Sequence, residues 1–264
     1  MSDALIVTTA RTVSAQRLAE AECWAELLAV PLVPRDDKSL AELTTAAGVA
    51  GVLVVGSDRV TYHDPSRALV YFFHPGMARR RLRNVDSGMG DPMITAMRLQ
   101  PGDSVLDCTL GRATDATVAS HVVGPSGKVV GLEKSPVLAW LTIDGLAAYE
   151  IDSTPTREAM RRIEGHHADS ADFLAAAPGA SFDVVYFDPL FDQTLEGSSG
   201  MIPLRALACP DQLTPEILAL ALRVARRCVV IKQRRGSDLW TELGLEVALV
   251  FGGKSRIEYG VIEV

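Results

Sequence analysis

The sequence has little of what disulfide frames and metal centres are built from. Its four cysteines, Cys23, Cys108, Cys209 and Cys228, are far apart and include no C-x-x-C pair. Reduced, buried thiols are therefore expected, and no metal. Long apolar runs are missing too: nothing approaches about twenty uninterrupted apolar residues, and the opening MSDALIVTTARTV has no basic stretch leading into such a run. This excludes a membrane-spanning helix and predicts a cytoplasmic protein. Positive charge is not in surplus, since the net charge is -7, which argues against wholesale coating of nucleic acid. With 264 residues and 48% hydrophobic content the chain is expected to be ordered, with one large domain and a smaller one.

Also absent is the G-x-G-x-x-G loop that packs backbone against a pyrophosphate. In its place the stretch Ser104 to Glu133 reads as strand, loop, helix, strand: Val105 and Leu106 end an apolar run, Asp107 to Asp115 is a small-residue loop, Ala116 to Val123 suits a helix, and Lys128 to Leu132 is a second buried run ending on Glu133. This is half of a dinucleotide-type α/β unit, and a carboxylate at the tip of its second strand can accept hydrogen bonds from both ribose hydroxyls. The loop reads D-x-T-x-G-x-x-x-D through Asp107, Thr109, Gly111 and Asp115. Together with Glu133 its acids would repel a phosphate pair, whereas the sulfonium, ammonium and ribose of S-adenosylmethionine suit them. The bland alternative is a doubly wound fold whose acids only cap helices and end strands.

A second informative stretch is Phe182 to Phe191, FDVVYFDPLF. Val184 to Phe187 make a fully buried strand, with Asp188-Pro189-Leu190-Phe191 at its carboxyl end, where doubly wound sheets place their chemistry. An exocyclic amino group is a poor nucleophile because its lone pair is delocalised into the ring. Hydrogen bonds to Asp188 and to a carbonyl of the Pro189 turn would aim that nitrogen at a methyl donor, and Phe191 would stack on the base. Asp188, Pro189 and Phe191 are the candidate catalytic residues; a strand-ending Asp-Pro turn with a core phenylalanine is the alternative. Asp169-Ser170, after a strand expected over Ile163 to Ala168, suits either the adenine edge or a helix cap.

Read in order, residues 1–74 form a small α/β domain. Leu5 to Thr8 is extended, Ser14 to Leu28 and Ser39 to Ala47 are helical, and Gly51–Val55, Arg59–His63 and Leu69–Phe73 are strands, with His63 and His74 isolated. Residues 75–100 link this domain to a large one at 101–264. In the large domain, a strong amphipathic helix is expected at Pro136 to Tyr149, a further helix at Glu216 to Arg227, a helical turn within Ile151 to Arg162, and a mobile loop at Gln193 to Met201. A strand follows at Cys228 to Ile231, and Glu246–Phe251 with Arg256–Val264 form a closing antiparallel pair. Basic residues cluster twice, at Arg79, Arg80, Arg81 and Arg83 and at Arg223, Arg226, Arg227, Lys232, Arg234 and Arg235. Arg79, Arg80, Arg81 and Lys232 are the candidate substrate-binding set, able to hold phosphates or simply to form solvated faces.

These residues in this order resemble the class I S-adenosylmethionine-dependent methyltransferases and, within them, the RsmJ-type 16S ribosomal RNA guanine-N2 methyltransferases. The resemblance runs from FHPGMARR at Phe73 through LDCTLGRATDA, Gly131-Leu132-Glu133-Lys134, Ala168-Asp169-Ser170 and VVYFDPLF to VVIK at Val229–Lys232, about residues 69 to 235. It implies a Rossmann-like α/β fold with a mostly parallel seven-stranded sheet in the order 3-2-1-4-5-7-6. It also implies S-adenosylmethionine as cofactor, contacts to it at Thr114, Asp115, Glu133, Lys134, Asp169, Ser170 and Asp188, and small-subunit ribosomal RNA as substrate. Two departures stand out. Ala113 replaces a glycine of the family loop, and Asp192, Gln193 and Glu196 stand where the family carries lysines. The expectation is a methyltransferase acting on a guanine exocyclic amine in RNA; the alternatives are a small-molecule methyltransferase and a non-catalytic RNA-docking module that binds adenosylmethionine or a nucleotide.

Overall fold

The computed structural model describes residues 5–189, 201–209, 213–245, 247–251 and 256–264. The chain divides into two compact units, Met1–Phe73 with Gly197–Leu207, and His74–Glu196 with Ala208–Val264. Residues 75–100 thus lie in the second unit. The first contains β1 (Leu5–Thr9), α1 (Ala15–Leu28), α2 (Leu40–Ala47), β2 (Gly51–Val55), β3 (Val60–Asp64) and β4 (Leu69–Tyr71). Its strands lie in that order, β1 and β2 parallel and the rest antiparallel. Both helices start on a serine cap: Ser14 accepts from the Arg17 N–H, and Ser39 closes a reciprocal box with Glu42, a device that stabilises a helix start by about 1 kcal/mol. Ile6, Leu43 and Val52 fill the core of this unit.

The second unit contains α3 (Ala78–Asp86), α4 (Pro92–Met97), β5 (Ser104–Asp107), α5 (Thr114–Val123), β6 (Lys128–Glu133), α6 (Pro136–Ala148), α7 (Thr154–Arg161), β7 (Ile163–His167), α8 (Ser170–Ala176) and β8 (Phe182–Phe187). Next in the chain comes α9 (Met201–Leu207), part of the first unit; α10 (Pro215–Val224), β9 (Ala225–Arg234), α11 (Leu239–Glu242), β10 (Ala248–Phe251) and β11 (Ile257–Glu263) complete the second. Its sheet runs β10-β11-β9-β8-β5-β6-β7. Counted from β5 as strand 1, this is the order 3-2-1-4-5-7-6 that the resemblance implies. β7, β6, β5, β8 and β9 are parallel; β11 runs antiparallel to β9, and β10 antiparallel to β11. The central strands have apolar side chains on both faces, Val184 and Val185 in β8 and Val229 to Ile231 in β9 being wholly buried, as expected of a sheet covered by helices on both sides.

Two elements differ from expectation. α6 is no amphipathic surface helix: Val137, Leu138, Ala139, Leu141, Thr142, Gly145 and Leu146 are buried on most of its circumference. The helix expected to reach Arg227 stops at Val224, and the chain is already extended from Ala225. Here side-chain partners decide. Arg223 donates to the carbonyls of Leu174 and Ala177, Arg226 pairs with Asp183 at 2.8 Å, and Arg227 pairs with Asp103 at 2.7 Å. These bonds dock the start of β9 beside β8. None of the four cysteines forms a disulfide; Cys108 and Cys228 are buried as expected, but Cys23 is exposed and Cys209 half-buried.

Candidate functional site

The strands β7, β6, β5 and β8 end side by side, and the connections of the neighbours β5 and β8 leave toward opposite edges of the sheet, making the crevice where open α/β sheets bind ligands. At the tip of β5, Asp107 accepts from the backbone N–H of Thr109 at 3.0 Å. The Thr109 hydroxyl in turn accepts from the Asp188 backbone N–H at 2.6 Å. The end of β5 and the Asp-Pro turn after β8 are therefore fastened by one side chain. At the tip of β6 the buried Glu133 carboxylate accepts from the Gly111 N–H at 3.1 Å and the Ser135 N–H at 2.9 Å. After β7, Asp169 caps α8 by accepting from the Ala171 N–H and pairs with Lys134 at 2.8 Å. The Lys134 hydrogen bond holds the Asp169 carboxyl below its ordinary range.

The loop between β5 and α5 is shaped by small residues at particular places. A Cβ on Gly131 of β6 would run into the Leu110 side chain, so glycine in the strand lets the loop lie flat on the sheet. Gly111 and Ala113 both have positive φ, +51° and +54°. The family glycine that Ala113 replaces thus falls on a left-handed residue, a conformation that costs a non-glycine residue about 1–2 kcal/mol. Thr114 donates to the Pro75 carbonyl at 3.1 Å, and Gly76, at φ +59°, leaves only 2.9 Å between a would-be Cβ and the Thr114 hydroxyl. The Phe73–Arg80 motif and the loop therefore meet through His74-Pro75-Gly76, with the Gly76 N–H donating to His74 Nδ1.

Below the loop lies a buried ion cluster that the sequence motifs only partly disclose. Asp115 Oδ2 accepts from Lys232 Nζ at 2.9 Å and from the Tyr186 hydroxyl at 2.8 Å, while Arg81 Nη1 donates to Oδ1. Arg81 also grips Asp91 through Nε and Nη2 at 2.7 and 2.9 Å. Lys232 Nζ makes a second bond, 2.6 Å to Asp188 Oδ2. Burial raises the Asp115 pKa, but the Lys232 and Arg81 charges outweigh it and hold the carboxyl well below its usual range. Burial lowers the Lys232 pKa, and Asp115 and Asp188 more than reverse that. Asp107, with no cation of its own and two carboxylates nearby, is pushed up to about 8, mainly by desolvation. Burial also raises Asp188, although its side chain keeps 30% of its surface and Lys232 opposes the shift. Tyr186 and Tyr259 are both raised, by burial and then by the Asp115 charge.

Of the residues singled out from sequence, Asp107, Thr109, Asp115, Asp188 and Lys232 come together directly, and Gly111 joins Glu133. Thr114 faces the Pro75 turn, and Lys134, Asp169 and Ser170 lie at the ends of β6 and β7. Pro189 follows Asp188, while Phe191 lies outside the described residues, as do Asp192, Gln193 and Glu196. Arg79, Arg80 and Arg83 are exposed on α3, but Arg81 and Lys232 are largely buried, 18% and 19% exposed, in the ion cluster. Those two belong to the framework of the site. The sequence motifs gave no hint of Asp91, Tyr186 or Tyr259. Arg81 had a signal: it sits at helical spacing beside the buried Ala78 and Leu82, on the edge of the inward stripe.

The donor set fits S-adenosylmethionine. Carboxylates stand at four neighbouring strand ends, suited to ribose hydroxyls and a cationic ligand, and nothing between β5 and α5 cradles a phosphate pair. Among the described residues no group of three or more His, Cys, Asp or Glu side chains is placed to hold a metal, and no helix is long and apolar enough to cross a membrane. Comparison with known proteins agrees with the donor set. The family model "Putative SAM-dependent methyltransferase" matches residues 40–249. A Bacillus subtilis relative, the uncharacterized protein YpiP, is 35% identical over 98% of this chain and 99% of its own. Ribosomal RNA small subunit methyltransferase J of Pseudomonas aeruginosa is 32% identical over 87% of this chain and 85% of its own. Among solved structures, a SAM-dependent methyltransferase from Neisseria gonorrhoeae superposes with a TM-score of 0.63 over 98% of this chain and 95% of that one, at 18% identity, a likeness of fold.

Proposed function

The chain belongs to the family of S-adenosylmethionine-dependent methyltransferases and uses that cofactor, and on that footing we propose that it methylates an exocyclic amino group of a guanine in small-subunit ribosomal RNA. The observation that carries the proposal is the Asp188-Pro189 turn at the end of β8, with its backbone held by Thr109 and its carboxylate by Lys232. When bound, the cofactor supplies an electrophilic methyl group on a sulfonium. Glu133, oriented by the Gly111 and Ser135 amides, holds the ribose hydroxyls. Asp169 and Ser170 meet the adenine edge. Asp115, which already accepts three donors from the protein, braces the loop, and the small residues above it form the floor.

On the acceptor side, Lys232 occupies Asp188 Oδ2, which leaves Oδ1 to accept from an amine N–H; the Pro189 turn offers a carbonyl for the other. Two such bonds fix the nitrogen and its lone pair toward the methyl donor, and positioning of this kind lowers barriers by several kcal/mol. Support for RNA comes from the relative named ribosomal RNA small subunit methyltransferase J and from the exposed Arg79, Arg80 and Arg83 on α3. The net charge of -7 confines phosphate binding to local patches.

The test is transfer of labelled methyl from S-adenosylmethionine to total RNA, assembled small subunits, DNA, protein and small metabolites prepared from a deletion strain. Label in small-subunit RNA is expected. Label only in a small molecule would overturn the RNA assignment and leave the methyltransferase standing.

A further inference from the structure

We propose that Lys232 is a positioning residue of the acceptor site, one ammonium shared between the carboxylate under the cofactor loop and the carboxylate of the Asp-Pro turn, which orients Asp188 and keeps it an anion. This role rests on the reading of Asp188 as the group that meets the acceptor amine, and it replaces the expectation that Lys232 touches substrate.

The geometry leaves Lys232 little freedom. It lies on β9 opposite Tyr259 of β11, follows the fully buried Ile231, and its Nζ lies 2.9 Å from Asp115 Oδ2 and 2.6 Å from Asp188 Oδ2. Asp115 is itself immobilised. Arg81 holds its other oxygen, Tyr186 donates to the same Oδ2, and Arg81 is anchored by both oxygens of Asp91. The lysine is thus located by a braced partner on one side and passes that placement to Asp188 on the other. An exposed lysine would swing; this one has a single place to stand.

The arrangement also sets charge. The groups facing Asp188 are Lys232 from β9, Asp115 from α5, Asp107 at the end of β5 and Tyr186 from β8; behind them, Tyr259 from β11 faces Asp115 and Lys232, and Arg81 from α3 faces Asp115. Two of these are carboxyls and two are phenols, so Lys232 is the only cation bonded to Asp188 among the described residues. Without it, desolvation and the Asp115 charge both favour the protonated acid. A protonated Asp188 is a weaker, neutral acceptor and can turn its O–H toward the amine, so the nitrogen would be aimed less well.

Lys232→Met keeps the length and removes the charge; Lys232→Arg keeps the charge. In ligand-free protein labelled with 13C at the aspartate carboxyls, the Asp188 signal, assigned by its loss in Asp188→Asn, is expected to titrate at least about one pH unit higher in Lys232→Met than in the parent. In Asp115→Asn it should titrate lower, because a neighbouring negative charge is gone and the lysine is left to Asp188 alone. In methyl transfer to the RNA acceptor, Lys232→Met should lose at least about tenfold in kcat at pH 7, recover part of it at alkaline pH, and keep the KM for RNA; Lys232→Arg should restore part of the rate at pH 7. An unmoved Asp188 titration in Lys232→Met would overturn the proposal, as would a raised KM for RNA with unchanged kcat, the mark of a group that touches substrate. If Lys232→Met does not fold, the downward shift in Asp115→Asn decides, and its absence overturns the proposal. If the parent methylates no RNA the proposed function fails, while the carboxyl titration still decides the role of Lys232.

Discussion

Glu133 is the residue on which the proposed cofactor side of the site depends. Its two oxygens are oriented by the Gly111 and Ser135 amides, so the side chain is placed before any ligand arrives. Loss of hydrogen bonds to a charged group costs about 1.5–3 kcal/mol, and Glu133→Ala is expected to weaken S-adenosylmethionine binding about ten- to 150-fold in calorimetry; unchanged affinity would remove this assignment. Asp107 yields a pH signature. Its pKa is raised from 3.8 to about 8 in the folded protein, so between those values the folded state keeps a proton that the unfolded chain releases. Stability should then fall as pH rises through that window, by up to about 1.4 kcal/mol per unit, and level off above it. Asp107→Asn should flatten the slope in urea unfolding between about pH 5 and 8, and parallel curves for parent and variant would contradict the shift. The acids at strand ends were legible in sequence because their positions follow from where apolar runs stop. The partners of Arg81 were not, since pairing with Asp115 joins residues 34 apart in sequence, and only a folded sheet shows which charges meet.

Elements were legible where one local signal dominated. Ser39 three residues before Glu42, Pro136 in a first helical turn, and the unbroken apolar runs of β8 and β9 each point to one structure. Local signals failed where packing decides. α6 is covered on most of its surface, and Ala225 to Arg227 leave the helix because Arg226 and Arg227 find carboxylates across the sheet. The flat seat of the loop between β5 and α5 is another packing feature, made by Gly131 beneath Leu110. Gly131→Ala should displace Leu110, cost about 1–3 kcal/mol in unfolding experiments, and lower cofactor affinity because Gly111, next in the loop, donates to Glu133. Destabilisation with full affinity would separate the seat from the site.

Taken as a whole, the molecule is an acidic protein proposed to act on a polyanion. Much of the second basic cluster is engaged within the molecule, by carbonyls for Arg223 and by carboxylates for Arg226, Arg227 and Lys232, although Arg223 and Arg226 stay exposed. The exposed arginines of α3 are then the phosphate-binding groups to test. Changing Arg79, Arg80 and Arg83 together to Ala should weaken RNA binding and flatten the log–log salt dependence by about 0.7–0.9 for each phosphate that is no longer neutralised; an unchanged slope would place the RNA elsewhere.

Methyl transfer from S-adenosylmethionine to a guanine amine positioned by Asp188 stands or falls on nucleoside mass spectrometry of small-subunit RNA. Small subunits from a deletion strain would be incubated with the cofactor and either the parent protein or Asp188→Asn, then digested to nucleosides. N2-methylguanosine is expected after incubation with the parent, with a large loss of it for the variant. Methylation at another atom, or equal yields from the two proteins, would refute the assignment.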